Sequence, residues 1–377
     1  MNRVNSRNTT VEMLRIIAIL MVIISHVSFH GFYTVERYNW ITTGLNRWFL
    51  QVVNMGSLGV DIFIILSGYY LIESTSIKIK KVSTLLAEVC FYSFILYLCA
   101  IELGIYQFKT LDLIKSLLPT TFGSYWFFTA YITLYLLHPY INQLLLQGVE
   151  DPPLELIKKR ISLLLLFITL WSIPHTFLGA DLYAGEICQF IMLYSIGAFI
   201  RLYSSYLNKN NHAKIVRIGV LACIIWILLP LIGVLLNNYI PVIGEHITYF
   251  YSRNSILTII CGTFLVWYFT TRPSSYNASV NWFSSSVFGV YLITDNYFVR
   301  SNVYESVFHL QQYGNQIILI PLVLLVTVIL FFIPTIIDKL GGTIYRKIGC
   351  LFNSALVKLV SVVSKKIDSL EILKQLQ

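Results

Sequence analysis

Charge is scarce in this sequence: Asp, Glu, Lys and Arg together make up 12% of 377 residues, and only 18 of them are acidic. A soluble domain carries about twice that share, so an ordinary soluble fold, a disordered chain and an acidic interaction tail are all excluded. Cysteine is sparse too. The six (Cys90, Cys99, Cys188, Cys223, Cys261, Cys350) form no CxxC pair and no spacing with histidine that holds zinc, which removes a disulfide scaffold and a zinc site; they read as reduced packing residues. No cleavage site of small residues follows the first apolar run, so residues 11 to 30 are expected to stay as a first span. Neither an internal repeat nor an inverted pair of interrupted helices stands out, which counts against a transporter built from repeats.

What the chain has in abundance is apolar and aromatic side chain. Hydrophobic residues make up 56%, with 7 Trp, 25 Tyr and 24 Phe, and the mean hydropathy is +0.71. Such a chain belongs in a bilayer, where amphipathic rings favour the interfaces. About twenty apolar residues cross a bilayer as a helix, and ten segments qualify: 11 to 30, 52 to 73, 83 to 105, 124 to 146, 161 to 180, 186 to 204, 216 to 236, 252 to 271, 283 to 300 and 316 to 338. The net charge of +9 raises the question of nucleic acid, but position decides it. With the N-terminus in the cytoplasm, 20 of the 27 Lys and Arg fall on the inner side, 6 fall in outward loops (Arg37, Arg47, Lys109, Lys115, Arg253 and Arg300), and Arg15 lies within the first span. That asymmetry predicts an all-α polytopic membrane bundle of about ten helices with both termini cytoplasmic, and no nucleic-acid partner.

The outward loops are short, so any chemistry must occur among the helices. After the last span, apolar residues from Ile344 to Val363 recur near helical spacing between Lys347, Lys358, Lys365 and Lys366. This predicts a transmembrane domain over 1 to 340 followed by an amphipathic C-terminal helix over 341 to 377, drawn to anionic lipid of the inner leaflet. A solvated tail is the alternative.

Ionisable groups inside the spans are few, and such groups are costly and usually functional. In the first span, VEMLRIIAILMVIISHVSFH, the eleven steps from Arg15 to His26 leave the two about 20° apart on one face and about 16 Å apart along the axis. Glu12 and His30 fall within about 60° of that stripe. A guanidinium binds and orients anions, whereas an imidazole exchanges protons near neutral pH. The plain alternative is an Arg15 that snorkels to inner headgroups and a His26 satisfied within the bundle. Asp61 in the second span is a candidate either for the substrate path or for a helix–helix hydrogen bond. Lys78, Lys80 and Lys81 are topology determinants that can also meet the phosphates of a cytoplasmic ligand. In the ninth span Asp295 and Asn296 should reach the depth of His26, where Asp295 either fixes the imidazole tautomer or pairs with Arg300. Trp126, Tyr131 and Tyr291 are candidates to line a tunnel or donate to an oxyanion, with simple packing as the alternative.

With these residues located, the chain resembles the acyltransferase family 3 of bacterial integral-membrane enzymes, in particular the branch that O-acetylates cell-surface polysaccharides. The resemblance spans essentially the whole length. It is carried by Arg15 and His26, by GVDIFIILSGYY at 59 to 70, by YWFFTAYITLYLLHPYIN at 125 to 142 and by FGVYLITDN at 288 to 296, in that order. It implies transfer of an acetyl group from cytoplasmic acetyl-CoA to a sugar hydroxyl of a surface polysaccharide or its lipid-linked precursor, with no metal. It also implies that Arg15 helps hold the donor and that His26 acts in catalysis; the depth of Asp295 makes it the expected orienting partner of that histidine. Lys78, Lys80 and Lys81 stand where several relatives carry an arginine-rich stretch assigned to CoA, and Thr294 stands where many carry a histidine. The rival expectation is a transporter or flippase for a lipid-linked sugar, which would use the same buried charges as a substrate path. A polysaccharide polymerase would need a long outward loop that this chain lacks.

Overall fold

A computed structural model describes residues 8–32, 44–146, 154–178, 185–237, 239–240 and 247–368. Among them the chain is helical, with no strand. The helices are α1 (Thr9–His30), α2 (Gly44–Val52), α3 (Gly56–Leu71), α4 (Ile79–Glu102), α5 (Thr110–Leu117), α6 (Trp126–Leu146), α7 (Leu154–Leu178), α8 (Gly185–Asn237), α9 (Ile256–Thr270), α10 (Ala278–Ser284), α11 (Val287–Thr294), α12 (Tyr297–Asn302) and α13 (Leu319–Asp368). Six stretches among the described residues are long and apolar enough to cross a membrane: Thr9–His30, Gly44–Leu71, Ile79–Glu102, Gly185–Tyr206, Asn211–Leu236 and Leu319–Val362. Polar residues punctuate the apolar runs. Asn8, Ser255, Asn277 and Asn296 each stand before a helix and accept a backbone N–H of its first turn, which fixes where α1, α9, α10 and α12 begin.

Three of the sequence expectations are reshaped. The segments at 186 to 204 and 216 to 236 are one helical run in α8. That run nevertheless doubles back: Glu186 lies 3.9 Å from Arg253, and the carbonyl of Trp226 accepts from Tyr251, two residues from Arg253. A straight helix would hold Glu186 and Trp226 about 60 Å apart. The expected continuous span at 283 to 300 is instead three short helices, α10 to α12. The reason is local: Ser284, Ser285 and Ser286 interrupt the first junction and Asp295 and Asn296 the second, and such side chains compete for backbone hydrogen bonds. Finally, helix α13 runs on from the last apolar segment to Asp368, and its residues Gly341 and Gly349 pack against Phe91 and Thr84 of α4.

Helix α3 is the axis of the bundle, packed against α1, α8 and α9. Its approach to α8 is backbone on backbone: a Cβ on Gly68 would stand 1.9 Å from the carbonyl oxygen of Tyr194, and one on Gly197 1.8 Å from that of Ile65. Without a hydrophobic force to drive helices together in lipid, small residues at such crossings let dispersion and weak polar contacts act at short range. The outer surfaces of α7 and α13 are apolar, with Leu163, Leu166, Leu170, Leu324 and Leu325 exposed as a lipid-facing surface would require.

The turn between α3 and α4 is clasped by α6 and α8. Asn142 donates to the carbonyls of Leu71 (2.6 Å) and Ser74 (2.9 Å), and Tyr194 donates to the side-chain oxygen of Asn142 (2.6 Å). His138 lies 3.3 Å from the Ser74 hydroxyl, and the Lys78 N–H donates to Tyr135 (3.4 Å). The HPYIN motif is thus the clasp that holds the start of α4. Placing Val at Gly197 should force α3 and α8 apart and lower stability by about 1–3 kcal/mol or more, measured as an earlier thermal transition of the detergent-solubilised protein.

Candidate functional site

A cavity of about 600 Å³ runs between α1, α3, α4, α6 and the broken helix α10 to α12. Its α1 wall is Arg15, Ile19, Val22, Ser25 and His26; Arg15, Ile19, Val22 and His26 stand at steps of four, three and four residues, so the stripe expected from helix geometry runs along the wall, with Ser25 beside it. Arg15 is held within 3.3 Å of Glu12, whose other carboxylate oxygen accepts from Ser284, and its guanidinium lies 5.9 Å from the ring centre of Tyr70. Ser284 and Ser285 enter the wall because the helix breaks there. Interrupted backbone inside a membrane protein is tolerated where it lines a cavity, and here the interruption supplies polar groups to one.

At the opposite end stands His26. Its Nδ1 is buried without a hydrogen-bond partner among the described residues, so the nitrogen open to a substrate is Nε2, which faces Asp295 Oδ1 at 3.7 Å. Asp295 also lies 3.4 Å from an Arg300 nitrogen, so both partners weighed for it from the sequence are present at once. Asp295 thus stands beside Nε2 of His26 rather than beside Nδ1. Behind His26 lies His30, with ring centres 5.5 Å apart, and behind that Tyr304 at 5.7 Å.

Of the other residues singled out in the sequence, Lys81, Trp126, Tyr131 and Tyr291 line the cavity. Lys81 stands 4.5 Å from the ring centre of Tyr135. Lys78, Lys80, Asp61, Asn296 and His30 lie off the wall. The reason is rotational: Lys81, Leu85 and Glu88 form the inward face of α4, Lys80 is a hundred degrees or so away from Lys81, and Lys78 precedes the helix. Asp61 likewise sits one step beyond Val60 on α3, fully buried against Gly262, with both carboxyl oxygens lacking a hydrogen-bond partner among the described residues. Asn296 is occupied by capping Phe298 and by donating to Tyr125 (2.8 Å).

A family model for an acyltransferase domain matches residues 8–337. The chain belongs to this acyltransferase family. Comparison with curated proteins and with solved structures found no match. The match runs from the cap of α1 into α13 and takes in every cavity residue named above; Tyr345 of α13, also on the wall, lies beyond it.

This acyltransferase also brings to its cavity residues that sequence reasoning left without a role: Glu88, Arg253, Ser284, Ser285 and Tyr345. Arg253, counted as an outer-loop cation, lies 4.1 Å above the ring of Trp126. Two signals in the sequence connect Glu88 to the site: it is one of the few ionisable residues inside an apolar span, and it stands two helical turns from Lys81 along one face. Ser67→Cys on the cavity wall should react with a water-borne thiol reagent in an otherwise cysteine-free protein. Ile65→Cys, fully buried on the opposite side of α3 against α8 and α9, should stay unmodified; equal labelling would refute the wall assignment.

Proposed function

We propose that the acyltransferase is a membrane O-acetyltransferase that moves an acetyl group from cytoplasmic acetyl-CoA to a sugar hydroxyl of a cell-surface polysaccharide or its lipid-linked precursor. The observation that carries this reading is that a fixed cation and a partly exposed imidazole, about 16 Å apart along one helix, line the same cavity. That distance suits an extended pantetheine arm held by its phosphates at Arg15 and Lys81 with its thioester at His26. On this reading the chain is a domain of ten spans over 1 to 340, in a bacterial cytoplasmic membrane with both ends inside, and the continuation of α13 is an amphipathic helix at the inner leaflet.

In the reaction, His26 Nε2 takes the proton of the acceptor hydroxyl as its oxygen bonds to the thioester carbonyl carbon. The resulting tetrahedral intermediate collapses with cleavage of the carbon–sulfur bond. CoA leaves as thiolate and receives the proton back from the imidazolium, so the products are the sugar acetate ester and free CoA. Asp295, next to Nε2 and held by Arg300, stabilises the imidazolium by its charge. Tyr291, one turn before Asp295 on the same helical face, is the donor assigned to the oxyanion.

With radiolabelled acetyl-CoA and membrane vesicles, label should pass to glycan as a base-labile ester. His26→Ala should lower the rate by about 10²–10⁴-fold while leaving protein abundance unchanged. Labelling that persists in His26→Ala would refute the assigned base. Movement of glycan across the membrane with no thioester consumed would favour transport.

A further inference from the structure

Glu88 takes no part in the reaction scheme above, yet it lines the same cavity. It is only 7% exposed and stands on the face of α4 that carries Lys81 and Leu85, with Tyr345 of α13 also in the wall. Seven residues of helix put it about 10 Å deeper than Lys81. The neighbouring carboxyl, Asp338, is already engaged: Tyr92 donates to it at 2.9 Å, and it presses on the backbone of Gly289. Arg346 is within electrostatic reach of both carboxyls and offsets their charge. Glu88 is therefore the member of this cluster that is left facing the cavity.

A carboxyl repels the phosphates that Lys81 attracts, so its complement must be a hydrogen-bond donor without charge. A buried polar group is costly unless paired, and an amide drawn into an apolar passage needs an acceptor for its N–H. We propose that Glu88 is a binding residue for the polar middle of the acyl donor, accepting from an amide N–H or the hydroxyl of the pantetheine arm between the phosphates at the inner mouth and the thioester. This deepens the acetyl-CoA reading and rests on it. Lys81 then selects the anionic end of the donor, Glu88 its amide segment and His26 its reacting end. The cavity thereby distinguishes a CoA thioester from any other elongated anion, which a guanidinium and a lysine alone would not do.

The test is binding of CoA, of 4'-phosphopantetheine and of adenosine 3',5'-bisphosphate to the full-length protein in lipid nanodiscs, which needs no acceptor. Glu88→Ala should weaken CoA and 4'-phosphopantetheine by roughly tenfold or more and leave adenosine 3',5'-bisphosphate unchanged. Lys81→Ala should weaken adenosine 3',5'-bisphosphate and CoA together. Unchanged CoA affinity in Glu88→Ala, or equal losses for all three ligands, overturns the proposal. Should Glu88→Ala fail to assemble, the wild type decides: adenosine 3',5'-bisphosphate bearing an alkyl chain in place of pantetheine should bind about tenfold more weakly than CoA, and binding as tight as CoA overturns the assignment. A wild type that binds no CoA at all would instead refute the donor reading itself, so the two failures are distinguishable.

Discussion

The site depends on the rigidity of a single helix. Arg15 and His26 belong to α1, whose unbroken run from Thr9 to His30 ties their separation and their bearing to backbone hydrogen bonding rather than to side-chain contacts. Neighbouring helices can shift without changing that spacing. The bilayer makes the arrangement exacting, because a guanidinium or an imidazole in hydrocarbon must be given water, a partner or a cavity. Here Arg15 has Glu12 beside it, His26 has Asp295, and both open into the same space.

The broken helix α10 to α12 is the complement of that rigid rod. Its first interruption delivers Ser284 to Glu12 and so braces Arg15; its second delivers Asp295 to His26 and Arg300. One element thus supports both ends of the α1 stripe. Each interruption leaves backbone groups without helical partners, and the polar lining of the cavity is what makes that tolerable at membrane depth. The clasp of α6 and α8 on the turn before α4 serves the inner end in a related way, since it sets the register from which Lys81 and Glu88 point inward.

Much of this was legible from the chain alone, for reasons that can be traced residue by residue. The helix positions follow from apolar runs, which need no knowledge of neighbours. The shared face of Arg15 and His26 follows from 3.6 residues per turn. The places of Lys80 and Asp61 were not legible for the opposite reason: each is a single step from a wall residue, and only the rotation of α4 and α3 against their neighbours says which of two adjacent side chains faces in. Arg253 was read as a loop cation because nothing local links it to Trp126, more than a hundred residues away.

Composition and periodicity determined by themselves that this is a helical membrane protein, where most of its helices lie, and that one of them carries a cation and an imidazole on a common stripe. These are local properties, written in hydrophobicity and helical pitch. The tertiary structure decided that the stripe faces a cavity, that the ninth apolar run breaks twice to furnish it, that Asp295 meets the accessible nitrogen of His26, and that Glu88 and Arg253 join the wall. Those outcomes depend on how the helices are rotated and where they cross, down to glycines such as Gly68 and Gly197 that admit a backbone at contact distance, and rotation and crossing arise from packing between segments far apart in the chain.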